Sequence, residues 1–179
     1  MLLKHESTMP TPCDAINQSK YRDLIIQANQ VTEEVELKNR ETGETSPLFS
    51  YDYLISYRVY GSYVIVQKYT AFLVMNLSTG EKTIYDVTQC HLRSNTFTIK
   101  DYIVKDGIMY VTPSISNYMI VVDLETGTMK YLTNKTTSSR TIDRLYIAGE
   151  KMYAYLNLFN EGNPIFTELI VSENNYCFE

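Results

Sequence analysis

The side chains able to do chemistry are few and scattered. The chain carries two histidines, His5 and His91, and three cysteines, Cys13, Cys90 and Cys177. Cys90 and His91 adjoin in Thr88-Gln-Cys-His-Leu-Arg93, and an imidazole that took the thiol proton would make a nucleophile of the sulfur. Neighbours on an extended chain point to opposite sides, however, so this pair is poorly placed to share a proton. With one histidine outside the N-terminal arm, a catalytic triad or a multi-histidine metal centre is nearly excluded. Asp101 and Asp143 recur six residues before Gly107 and Gly149. A carboxylate pair could act as acid and base, but a turn-forming aspartate in each repeat would give the same recurrence. The seven glycines form no phosphate-cradling loop. No catalytic set, metal site or cofactor is expected, and enzymatic activity stays an open question that leans towards none.

Composition narrows the class of protein. The chain has 179 residues, 44% hydrophobic and 21% charged, as in a globular domain. Its net charge of −5 argues against a nucleic-acid partner, because phosphates are bound by a positive field. The longest apolar runs, Phe72 to Met75 and Met119 to Val122, fall far short of the roughly 20 residues that span a bilayer. Met1-Leu-Leu-Lys-His-Glu-Ser lacks the apolar centre of a secretory signal, so an intracellular, cytoplasmic protein with reduced thiols is expected. Asn17-Gln-Ser, Asn76-Leu-Ser and Asn134-Lys-Thr match a glycosylation pattern that would matter only after secretion. Sixteen tyrosines and no tryptophan suit sheets whose faces are partly wet, since the ring packs while the hydroxyl reaches water or a partner.

The elements that must position these residues are strands. Met119-Ile-Val-Val-Asp-Leu-Glu-Thr-Gly127 is an apolar run closed by a Thr-Gly turn, and an alternating run resumes at Thr128-Met-Lys-Tyr-Leu. The phrase recurs as Phe72-Leu-Val-Met-Asn-Leu-Ser-Thr-Gly80 and, more faintly, as Val35-Glu-Leu-Lys-Asn-Arg-Glu-Thr-Gly43. Each reads as a β-hairpin. Ahead of the later copies stand Tyr53 to Tyr60 and Tyr63 to Val66 around Gly61, then Tyr102 to Val104 and Ile108 to Val111 around Gly107. A third copy opens with Leu145-Tyr-Ile, Gly149 and Lys151 to Tyr155. Gly61 to Gly107 is 46 residues, Gly107 to Gly149 is 42 and Gly80 to Gly127 is 47. A period in the forties with four short strands is what a propeller blade requires.

These residues resemble the β-propeller repeats, quinoprotein-like and WD-like blades in which a strand ends in an Asp-x-x-Thr-Gly hairpin. The match lies in Asp123-Leu-Glu-Thr-Gly127 and Asn76-Leu-Ser-Thr-Gly80, over about residues 52 to 179. The blades' usual tryptophans are missing, and no quinone or metal site is carried over. The expectation is an all-β chain of antiparallel four-stranded repeats, a propeller of about four blades or a propeller-like meander. Residues 1–13 are expected as an arm and 14–179 as one β-repeat domain. Within it, 33–49 form a hairpin, and 52–97, 98–139 and 140–179 form the three repeats. Tyr21, Leu24, Ile25, Ala28 and Val31 recur at helical spacing with Asp14 or Ser19 as a cap, predicting a short amphipathic helix over 14–31. The acidic Glu33, Glu34 and Glu36 read as a solvated strand face. Either the N-terminal segment completes a fourth blade, the units form an open sheet or sandwich, or two chains share the task.

Propeller connectors gather function on one face of a rigid scaffold. Tyr69, His91, Arg93, Asn117, Arg140 and Phe159 are the candidate partner-binding residues, because aromatic rings supply area and arginine supplies forked hydrogen bonds. The favoured function is a non-enzymatic adaptor that binds another protein. The alternatives are a small-molecule binder or hydrolase with a carboxylate- and tyrosine-lined central pocket, and a structural subunit joined through sheet edges.

Overall fold

In the computed structural model the described residues are 24–50, 56–89, 98–114, 118–135, 141–157 and 164–178. They divide into two compact units, Met1–Asp86 and Val87–Glu179.

The first unit holds two antiparallel sheets. Strands β1 (Leu24–Asn29), β2 (Glu34–Asn39) and β3 (Thr45–Ser50) form one, in that order. Strands β4 (Ser56–Tyr60), β5 (Tyr63–Gln67), β6 (Ala71–Asn76) and β7 (Lys82–Asp86) form the other as a meander. Ile26, Val35 and Leu48 of the three-stranded sheet pack with Val64 of the four-stranded one. Pro47 sits in β3, an edge strand, where its missing N–H costs no central ladder bond.

Leu24–Asn29 is a strand where the sequence predicts a helix, and Asp14, Ser19 and Tyr21 lie outside the described residues. The cause is the partner strand. Each residue from Leu24 to Asn29 pairs with one from Asn39 back to Glu34, which sends Ile26 and Ala28 inward on the period of two. Val31, the last member of the supposed helical stripe, lies in the following turn and is 92% exposed. Strand β1 starts 19 residues before Gly43, much as a strand starts at Tyr63 before Gly80 and at Ile108 before Gly127. Counting back from the Thr-Gly turn would have identified it.

The second unit contains β8 (Ile99–Lys105), β9 (Ile108–Pro113), β10 (Tyr118–Asp123) and β11 (Met129–Asn134), then β12 (Thr141–Ala148), β13 (Lys151–Asn157), β14 (Ile165–Val171) and β15 (Asn175–Phe178). Each group of four is an antiparallel meander. Asp106 and Gly107, at φ 52° and 75°, turn β8 into β9 with Lys105 opposite Ile108, the two-residue connection that follows the twist of paired strands. The meanders join where β15 runs parallel to β11, Thr133 opposite Asn175 and Asn134 opposite Tyr176, giving one eight-stranded sheet. At the far ends β8 and β12 also come together, so the sheet nearly closes on itself as a barrel. Ile103, Met119, Val121 and Leu132 from one half meet Leu145, Ala154, Leu156, Leu169 and Tyr176 from the other in its core.

The repeated hairpin has a repeated set of bonds. Asn39, Asn76 and Asp123 each donate their amide to the residue after the glycine, at 2.9 Å in all three turns. Each also accepts the glycine amide on its backbone carbonyl, at 2.9, 2.7 and 2.9 Å. The side-chain oxygen then takes the amide two residues on, Glu41 at 2.8 Å, Ser78 at 2.9 Å and Glu125 at 2.9 Å. The threonine hydroxyl accepts the amide two residues later, in Glu44, Glu81 and Thr128. Gly43, Gly80 and Gly127 adopt φ of 75°, 76° and 75°, which an L side chain rarely takes. Each position of the Asx-x-x-Thr-Gly phrase therefore has a local mechanical reason.

Candidate functional site

The recurrent aspartates are strand residues rather than turn residues. Both lie at bulges, where pairing shifts between Ile99 and Asp101 in β8 and between Ile142 and Arg144 in β12. Asp101 is buried, and its Oδ2 accepts the Leu145 amide of β12 at 2.8 Å. Lys100 and Asp143, the extra residues of the two bulges, form an ion pair of 2.6 Å. The turn expectation is corrected accordingly: these carboxylates bridge β8 to β12 across 44 residues of sequence. Each bulge re-aims its side chain from the ladder towards the neighbouring strand.

Glu36 is likewise not a solvated strand group. It is buried, accepting Gln27 Nε2 at 3.0 Å and Asn29 Nδ2 at 2.7 Å. The Gln27 amide, aided by that of Asn29, holds its carboxyl below the ordinary range against the opposing effect of burial. Cross-strand pairing places Gln27 directly opposite Glu36.

Of the residues singled out for partner binding, Tyr69 lies in the bend between β5 and β6 and is 58% exposed. The bond from the Lys68 amide to the Ala71 carbonyl, 2.8 Å, closes that bend. His91, Arg93, Asn117, Arg140 and Phe159 lie outside the described residues. Among the described residues no three His, Cys, Asp or Glu side chains gather to hold a metal ion. No helix among them is long and apolar enough to cross a membrane.

A surface that the loop-centred reading missed lies on a sheet. Strand β13 reads Lys151-Met-Tyr-Ala-Tyr-Leu-Asn, so Met152, Ala154 and Leu156 enter the core while Tyr153 and Tyr155 point away from it. Tyr146 of β12 stands opposite Tyr153, and Phe166 of β14 opposite Tyr155. The Phe166 ring stacks on Tyr153 at 5.2 Å, 8° from parallel, and meets Tyr146 edge-on at 5.6 Å. Phe166 is 58% exposed, Tyr146 43% and Ile170 37%. Beside them Lys151 and Glu168 form an ion pair of 2.7 Å. The rings are thus held in place by one another while their outer surface faces solvent. Alternating tyrosines in β13 were the available signal.

Burial separates this sheet from its neighbour in the barrel. In β8 to β10 both faces are covered: Ile103, Met119 and Val121 on the core side, and Tyr102, Met109, Val111, Ile120 and Val122 on the other. In β12 to β14 only the core side is. No protein-family model matches the sequence. No curated protein matches it either.

Solved structures do match. The N-terminal domain of Nup159 superposes with a TM-score of 0.54 over 88% of this chain and 45% of its own, at 8% identity. It matches equally in an S. cerevisiae complex in which Dbp5 is bound to Nup159. The WD40 repeats of RRP9 give 0.52 over 93% of this chain and 53% of theirs at 10% identity. Hydrazine synthase of Kuenenia stuttgartiensis gives 0.52 over 93% and 48% at 13% identity. The fold is that of β-propeller repeats. Nup159 and RRP9 are propeller and WD40 proteins, as the Thr-Gly hairpins suggested, and the chain spans about half the length of these two.

Proposed function

We propose that the protein is a binding module that docks another protein on the outward face of β12 to β14. The observation that carries this is the ordered ring cluster in which exposed Tyr146 and Phe166 pack on half-buried Tyr153. Large rings already fixed by one another lose little freedom on binding and offer much area, and such residues dominate contact energetics. The neighbour Nup159 binds Dbp5, so a protein partner on this scaffold has a precedent in the fold. The three-stranded β1–β3 sheet and the three four-stranded meanders then count as about four blades. Tyr69, His91, Arg93, Asn117, Arg140 and Phe159 belong to this proposal as further contact residues on their chemistry alone. The enzymatic alternative has no such support, because Asp101 and Asp143 are engaged in joining strands.

The test replaces Phe166 with a photo-crosslinking phenylalanine analogue in the full chain, with the same analogue at exposed Val31 as a control. Irradiation in the native source is expected to give a discrete protein adduct from position 166 and none from position 31. Absence of an adduct at 166, or equal labelling from both positions, overturns the proposal.

A further inference from the structure

Resting on the reading of this face as a protein-docking surface, we infer that its occupant is a short extended segment of another protein, in which an acidic residue stands two positions from a large apolar one. The size of the face sets the kind of partner. Three strands at about 4.8 Å spacing and seven residues at about 3.4 Å rise give roughly 340 Å². That is well short of the ~800 Å² per partner of a stable contact between folded domains, whereas an extended segment covers such a strip along its own length.

The charge of the face sets the chemistry. Pairing of β12 with β13 puts Arg144 opposite Tyr155 and Tyr146 opposite Tyr153, so Arg144 stands on the ring side of the sheet, one pleat along from Tyr146. Arg144 is exposed. Among the described residues no carboxylate pairs with it: adjacent Asp143 is held by Lys100 at 2.6 Å, and at the other end of the rings Lys151 and Glu168 neutralise one another at 2.7 Å. The face therefore carries one uncompensated cation beside its rings. A guanidinium receives a carboxylate on a fork of donors, and the rings receive an apolar side chain. Arg144 and Tyr146 are about 6.8 Å apart along β12, two residues at the rise of a strand. An extended segment laid alongside repeats that interval in its own side chains, which sets a carboxylate over Arg144 and a ring or branched chain over Tyr146 and Phe166. A polyanion such as nucleic acid fits less well, because a chain of net charge −5 repels it over the rest of the surface.

Fluorescence anisotropy of the full chain with labelled Gly-Ser peptides tests this. Each peptide carries phenylalanine, with glutamate, glutamine or lysine two positions before or two positions after it. The glutamate peptides are expected to bind about fivefold more tightly than the glutamine ones, as for a part-exposed ion pair. Arg144→Glu should invert the order and make the lysine peptides the tightest, while Phe166→Ser should weaken all of them at least about tenfold, as for loss of a contact anchor. Far-ultraviolet circular dichroism should be unchanged in both variants, which separates lost binding from lost folding. Equal binding of the three kinds of peptide, an order that Arg144→Glu leaves as it was, or tighter binding of a labelled oligothymidylate overturns the inference. If no peptide binds while position 166 still gives its protein adduct, only the segment reading fails; no binding and no adduct refute the docking surface as well.

Discussion

Replacing Asp101 with alanine removes the one carboxylate shown to bond β8 to the backbone of β12. The Leu145 amide that it accepts at 2.8 Å belongs to a residue only 4% exposed, so water cannot readily take its place. A hydrogen bond to a charged group contributes about 1.5–3 kcal/mol, and an orphaned buried donor costs about 1–3 kcal/mol, two views of the same deletion that must not be summed. Some of the loss is offset because a buried carboxylate no longer has to be desolvated. The expected net destabilisation is about 2 kcal/mol. Asp101→Asn keeps an accepting oxygen and should lose only about half as much, since it forfeits the charge but not the bond. Asp143→Asn is the control, because its ion pair with Lys100 is part-exposed on both sides and so contributes about 0.5 kcal/mol or less. Urea unfolding with a shared slope measures the three losses. Amide exchange at Leu145 reads the site directly, with about 30-fold faster exchange expected in the alanine variant from 2 kcal/mol. If Asp101→Ala costs no more than Asp143→Asn, or Leu145 exchange is unchanged, the clamp does not hold the strands.

The three hairpin glycines share one φ and have open space around an added Cβ, so Gly43→Ala, Gly80→Ala and Gly127→Ala should each lose about 1 kcal/mol by backbone strain alone, measured by urea unfolding; unequal or absent losses would show that the turns are not equivalent. The Thr126 amide, joined by that of Glu125, holds the Asp123 carboxyl below its ordinary value of 3.8. Its contribution to stability is therefore present above that value and lost as pH falls through the lower, folded one. A carbon-detected carboxyl titration should place Asp123 below 3.8, and Asp123→Asn should keep the turn, as Asn39 and Asn76 do, while abolishing this pH dependence. Burial pushes the Tyr176 phenol well up from its ordinary value. Its ring signals should stay constant through about pH 10, where exposed tyrosines ionise, and a normal titration would show that the barrel core admits water. Leu132→Ala, at a core position 1% exposed, should cost about 2–5 kcal/mol in thermal or urea unfolding, and a loss below 1 kcal/mol would mean the site collapses freely.

What the sequence determined is whatever is decided within one turn of chain. Asx-x-x-Thr-Gly specifies its hairpin because donor, acceptor and glycine lie within six residues, and alternation such as Met152-Tyr-Ala-Tyr-Leu156 specifies a strand with two unlike faces. The four-stranded repeat and its likeness to propeller blades follow from those local signals. Partners distant in sequence decided the rest. Leu24 to Ala28 carry helical as well as strand spacing, and pairing with β2 chose the strand. Asp101 looks like a turn residue until β12, 44 positions on, presents the Leu145 amide to it. Nothing local predicts that β15 will run parallel to β11 and draw two blades into a barrel. The aromatic face escaped notice for the same reason: alternation reveals that Tyr153 and Tyr155 share a side, but only the packing of Ala154 and Leu156 against the other half of the sheet leaves that side exposed.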